Sequence, residues 1–153
     1  MLTNPYNIEQ IPEEARQPWL DYLNAQEIAD RWDWKDYAEK EAREKAAREA
    51  RHNIVPWVGM GCTEILYSDR RACTVTEVHR TRKGEIKKVV VRENETVCKD
   101  WYASDYDILP ELTEHEEVFT KRSNGLWVME GQPSKDGVLL GLGFRHHFID
   151  PSF

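Results

Sequence analysis

The apolar positions follow two different rules along this chain. From Gln26 to about His52 the residues are mostly Ala, Glu, Lys and Arg, all strong helix formers, and the pattern predicts one long helix. Glu39/Arg43, Glu41/Lys45 and Glu44/Arg48 stand four apart with the acid first, the favourable order on a helix. Asp30, Asp33 and Asp36 lie toward its start, Arg48 and Arg51 in its last turn, and Pro56 cannot continue it. A shorter helix is expected before it, from about Pro12 to Asn24. The apolar face of the long helix is lopsided. Ile28, Trp32, Trp34 and Tyr37 are large, and beyond them only alanines remain. Trp19, Trp32 and Trp34 in a charged arm point to self-association, against the plainer reading of an exposed helix laid on a sheet.

From Gly59 onward short β-type runs take over. "CTEILYS" and "RACTVTEVHR" are separated by the Asp69-Arg70 corner, and "TRKG" turns the chain into "EIKKVVVRE". "EEVFTKR" and "LWVME" are joined by "SNG", a hairpin signal, and "GQPSKDG" leads to a last run, "VLLGLGFRHHFI". The expected fold is therefore α+β. A helical arm over 1–57 precedes an antiparallel, mostly meandering β-sheet or small open barrel over 58–153.

Charge sharpens this division. The 153 residues carry a net charge of −7. Residues 59–91 hold 7 basic and 4 acidic groups, whereas residues 92–120 hold 2 and 9. The acidic run "ENETVCKDWYASDYDILPELTEHEE" reads as a solvated loop or as a segment folded against basic strands. General acidity makes duplex DNA an unsuitable partner. No apolar run reaches membrane-spanning length, and the first residues lack the basic start and apolar stretch of a signal peptide. Cys62, Cys73 and Cys98 are odd in number and fit no zinc spacing. They read as reduced core residues of a cytoplasmic protein.

No pattern nominates a catalytic set. "GLGF" lies inside a strand pattern, the wrong setting for a phosphate loop. His146 and His147 are neighbours in an expected strand and would face opposite ways. The remaining histidines are scattered, so neither a metal site nor a cofactor is expected. What stands out is a set of arginines and aromatics on strands: Arg70 and Arg71 at the first corner, Phe119, Arg122, Asn124 and Trp127 around the Asn-Gly turn, and Arg145 near the end. A guanidinium fork beside an aromatic face suits a phosphorylated, base-containing ligand. Taken singly, each arginine is more ordinarily a solvated or locally paired side chain, Phe119 and Trp127 are more ordinarily core, and Asn124 is more ordinarily a turn residue.

Three segments carry a resemblance: "VGMGCTEILYSDRRACTV" (58–75), "VFTKRSNGLWV" (118–128) and "GLGFRHHFIDPSF" (141–153). Together they resemble the anti-Thoeris sponge proteins of phages. That resemblance implies a non-enzymatic anti-defence protein acting in the cytoplasm of the infected bacterium. It would bind and sequester a cyclic ADP-ribose isomer, or a cyclic oligonucleotide, as a dimer or higher oligomer. It assigns Arg70 and Arg145 to a pyrophosphate, Phe119 to a base and Asn124 to a base edge. The chain departs from the family pattern at His146-His147-Phe148, where tyrosines are expected, and in its acidic segment. Two other readings stand beside it: a small SH3-like barrel binding RNA or a peptide through the basic "HRTRKGEIKK" hairpin, and an inhibitor of a host complex acting through the tryptophan-bearing arm.

Overall fold

The computed structural model describes residues 3–152, and it divides into two compact units with the break between Val55 and Pro56. The first unit is helical. A single 3-10 turn at Ile8–Gln10 leads into α1 (Glu13–Ala29), and α2 (Tyr37–His52) follows. The long helix expected over 26–52 is thus two elements, with the interruption at 30–36. Asp36 causes it. Its carboxylate accepts the backbone N–H of Glu39 (2.8 Å), while Glu39 accepts the N–H of Lys35 (2.7 Å). This reciprocal cap starts a new helix and satisfies donors that a continuous helix would have used internally. Arg43 then holds Asp33 (2.6 Å) and Glu39 (2.8 Å) together, fixing the connection.

The two helices run antiparallel. Arg51 near the end of α2 donates to Gln26 (3.1 Å) and lies over the ring of Tyr22, while Ile28 faces the first turns of α2. Trp19 is no part of an exposed cluster. It is 0% exposed, packs edge-on against Tyr6, and donates its indole N–H to Asn4 (3.0 Å). Trp32, at 86% exposure, does stand free in the connection.

The second unit is α+β's other half: six antiparallel strands, β1 (Gly61–Ile65), β2 (Arg70–Arg80), β3 (Ile86–Asp100), β4 (Asp105–Lys121), β5 (Trp127–Met129) and β6 (Leu139–Leu142). They form a meander closed into a ring, because β1 pairs with β2 on one edge and β6 on the other. Closure leaves no open sheet edge there. The inward row includes Cys62, Cys73, Val75, Val89, Val91, Phe119, Trp127, Leu140 and Leu142, all buried. The expected hairpin at "SNG" is present. Gly125 takes φ 85°, and the Arg122 and Leu126 backbones pair across the turn (2.8 Å).

Two expectations from the sequence change. The acidic stretch is no loop. It is the far half of β3 and β4, a two-stranded ribbon that turns at Trp101–Ser104. Cys98 lies exposed on it, so only Cys62 and Cys73 are core thiols. The last strand is also shorter than its apolar run. β6 stops before Gly143 (φ 110°), and residues 144–152 leave the ladder except for a single bridge from Phe148 to Arg70. No helix among the described residues is long and apolar enough to cross a membrane.

Replacing the Asp36 cap should weaken the helical unit measurably. Asp36→Ala is expected to cost about 1 kcal/mol, read as a lower denaturation midpoint of the helical signal in circular dichroism. An unchanged midpoint would mean that the connection is set by Arg43 alone.

Candidate functional site

Residues 58–75 and 141–152 come together. Thr63 Oγ1 donates to the carbonyl of Phe144 (2.7 Å) and accepts the N–H of His146 (3.0 Å). Arg70 exchanges both backbone hydrogen bonds with Phe148 (2.7 and 2.8 Å). The Asp69 carboxylate accepts the N–H of Asp150 (2.9 Å), and Ser104 Oγ, on the ribbon turn, accepts the N–H of Ile149 (2.9 Å). The segment 144–152 is therefore stapled between the β1–β2 corner and the ribbon tip. A further relay runs beneath it: Arg145 donates to Thr74 Oγ1 (3.0 Å), Thr74 to Asn94 Oδ1 (2.8 Å), and the buried Asn94 amide to the carbonyl of Leu109 (2.9 Å).

These contacts define what each nominated residue does. Arg70 and Arg71 are consecutive on β2 and point to opposite faces. Arg70 turns outward and caps the corner through Nη1, which reaches the carbonyls of Leu66 and Asp69 (2.9 Å each). Arg71 is on the inward face opposite Glu64, its Nη1 3.9 Å from Glu64 Oε2. Arg145 lies over Gly61, where a Cβ would come within 2.9 Å of its Cγ, so only glycine accepts the side chain in this position. Arg122 is consumed locally by Thr120, Ser134 and the Met129 carbonyl (2.9, 2.9 and 3.1 Å), pinning the β4–β5 hairpin to the loop after it. Asn124 accepts the N–H of Leu126 (3.1 Å), an ordinary turn bond. Phe119 is 0% and Trp127 5% exposed. Neither ring offers a face to a base, and the base-stacking role assigned to Phe119 by resemblance has no surface to act on. The seven residues thus do not converge on one pocket.

The accessible rings of the second unit lie elsewhere. Tyr67 (99% exposed) is on the β1–β2 corner, and Trp101 (45%) and Tyr102 (87%) are on the ribbon turn. Consecutive backbone N–H groups, those of Ile149 and Asp150, tie these two tips to one another. The exposed His146 ring is stacked on Phe148 beside them, and the partly buried His147 ring meets Tyr106 edge-on at 4.7 Å. Burial pushes the His147 imidazole below its ordinary value, so it is neutral near neutral pH. The sequence signal was available: aromatic residues at hairpin tips, where burial gives them no reason to be.

The basic hairpin 79–88 is partly compensated. Lys87 pairs with Glu85 (3.4 Å) and Lys88 with Glu130 (2.9 Å), while Arg80 donates to the neutral Gly84 carbonyl (2.9 Å). Arg82 and Lys83 add two further positive charges at its turn.

Inside the ring the exception is Glu64. It is 1% exposed, and its Oε2 has no hydrogen-bond partner. The 3.9 Å to Arg71 is an ion-pair contact, too long for a hydrogen bond. Burial raises the Glu64 carboxyl above its ordinary value; Arg71 and His115 oppose this, while Glu117 and Glu93 add to it. Burial also lifts the neighbouring Cys73 thiol to about 12, so it stays protonated and unreactive.

Comparison with protein-family models, with curated proteins and with solved structures finds no match to this chain. What the site can do rests on its own geometry.

Folded chain favours protonated Glu64, so the folded state carries an extra proton between the ordinary carboxyl value of 4.5 and its raised value. Its contribution to stability therefore falls as pH climbs through that window. In metal-free buffer, Glu64→Gln should gain thermal stability relative to wild type, by an amount that grows as pH rises above 4.5. Parallel melting curves for the two proteins would show that the carboxylate is not paying a burial cost.

Proposed function

We propose that this chain is a non-catalytic binding module that captures a cyclic-nucleotide-type signal and holds it unchanged, the role its resemblance to the anti-Thoeris sponges implies. It would act in the cytoplasm of an infected bacterium as a dimer or higher oligomer. The observation that carries the reading is the pair of loop tips joined through Ile149 and Asp150, which present Tyr67, Trp101 and Tyr102 to solvent. Exposed rings on a fixed backbone are stacking surfaces for bases, each contributing about 1–3 kcal/mol. Arg70 borders them and engages its carbonyls through Nη1, which leaves the other edge of the guanidinium to meet a phosphate. In this reading the base-binding part belongs to the two tips instead of Phe119 and Asn124, and Arg70 keeps its phosphate.

Calorimetry with cyclic ADP-ribose isomers and cyclic oligonucleotides tests this. At least one is expected to bind at micromolar affinity or tighter. Tyr102→Ala and Trp101→Ala should each weaken it by about 1–3 kcal/mol, and Arg70→Ala by about 1.5–3 kcal/mol. Phe119→Leu should lower stability and leave affinity unchanged. The ligand released by heat should have its original mass; a processed product would mean an enzyme. If none of these ligands binds better than millimolar, the reading fails.

A further inference from the structure

The ring encloses an arrangement that the ligand reading does not use. Glu64 on β1, with His115 and Glu117 on β4, bring one ligand atom each within 4.8 Å of one another. Strand parity produces this. His115 and Glu117 are two apart on β4 and share the inward face of Phe119, with Glu117 opposite Val91. His115 Nε2 lies 3.4 Å from Glu117 Oε1, and both groups lie near the buried carboxylate.

Independent of that proximity is the state of Glu64 itself. A carboxylate oxygen that is buried and lacks a hydrogen bond is costly and rare in folded proteins. Charge points the same way. Three carboxyl groups, those of Glu64, Glu93 and Glu117, stand near the one guanidinium of Arg71, with His115 alongside. A divalent cation gives Glu64 Oε2 its missing partner.

We propose that Glu64, His115 and Glu117 form a binding site for a divalent transition-metal ion of the Zn²⁺ or Mn²⁺ type, at the end of the barrel interior. One imidazole and two carboxylates suit these ions better than Ca²⁺ or Mg²⁺, which prefer all-oxygen shells. In a tetrahedral site with bonds of about 2.1 Å the ligand atoms stand about 3.4 Å apart. Contraction from the present spacing requires only side-chain rotation by His115 and Glu117, whose side chains are 40% and 30% exposed, toward a fixed Glu64. Three protein ligands leave the remaining coordination positions for water or an added ligand. The site shares no residue with the aromatic tips, so metal binding and nucleotide binding stand or fall separately.

The test is calorimetry and thermal unfolding of chelator-treated, tag-free protein with ZnCl₂, MnCl₂, CaCl₂ and MgCl₂. Zn²⁺ or Mn²⁺ is expected to bind once per chain at micromolar affinity or tighter and to raise the melting temperature; Ca²⁺ and Mg²⁺ should bind at least tenfold more weakly. Glu64→Gln is nearly isosteric and removes a buried carboxylate whose Oε2 lacks a hydrogen bond, so it should fold. It and His115→Ala should each lose at least tenfold in affinity, and Cys98→Ser, which removes the exposed thiol, should lose nothing. Failure of all four ions to bind the wild type would overturn the site. So would Zn²⁺ binding that survives Glu64→Gln, or that disappears with Cys98→Ser.

Discussion

Strand β1 is hydrogen-bonded along both edges, to β2 on one side and β6 on the other, and the ring exists only because of that double pairing. The strand is only five residues long, so each position has a fixed face. Cys62 and Glu64 must go in, and Thr63 must go out. Everything distinctive about the second unit follows from those two assignments. The inward carboxylate arrives among thiols, aliphatic and aromatic side chains, with Arg71 opposite it. The outward hydroxyl becomes the staple on which the chain after β6 is fastened. A one-residue slip would exchange them, burying the hydroxyl and freeing the acid.

The outward staple explains why "YSDRRACTV" carries so much charge in a strand region. Asp69 and Arg70 receive the segment 144–152. The aspartate accepts a backbone N–H, and the arginine supplies a two-hydrogen-bond bridge through its backbone while its guanidinium closes the corner. The polarity that resembled a ligand site is in the first place a seat for the chain's own later residues. Arg71, one position on, belongs to the other face and to Glu64. Two adjacent arginines therefore serve unrelated purposes, and strand parity alone separates them.

Much of the fold was legible because each local signal agreed with the tertiary solution. The Asn124-Gly125 turn, the Gly84 turn and the alternation of β1 and β2 all specify hairpins that the ring also needs. The helix break was written in Asp36-x-x-Glu39 but hidden by the helix propensity of its surroundings. Ring closure was not legible, since the β1–β6 register joins residues remote in sequence. The candidate sites divide similarly. Phe119 and Trp127 followed their hydrophobicity into the core. Glu64 could have been found: in "GCTEI" it shares parity with Cys62, and an acid in an inward position is the conflict that marks a special site. The direction of His115 was legible too, since it shares parity with Glu117 and Phe119, but its meeting with Glu64 was not, because that joins strands remote in sequence.

The β3–β4 ribbon poses a separate physical problem. A regular β3–β4 ladder would have continued the alternation through 113–115 and given the ribbon a single register from barrel to tip. The ladder is interrupted three times, with 113–115 opposite residue 93, 109–111 opposite residue 95, and residue 99 left over between the Cys98–Tyr106 and Asp100–Asp105 pairs. The second interruption contains Pro110, which cannot donate to a ladder, and supplies the Leu109 carbonyl to which the buried Asn94 amide is anchored. Lost ladder bonds are a stability cost with no return in packing, because the ribbon beyond them is largely exposed. The return lies in what the second interruption aims: the Leu109 carbonyl fixes the ribbon to the relay beneath the stapled segment.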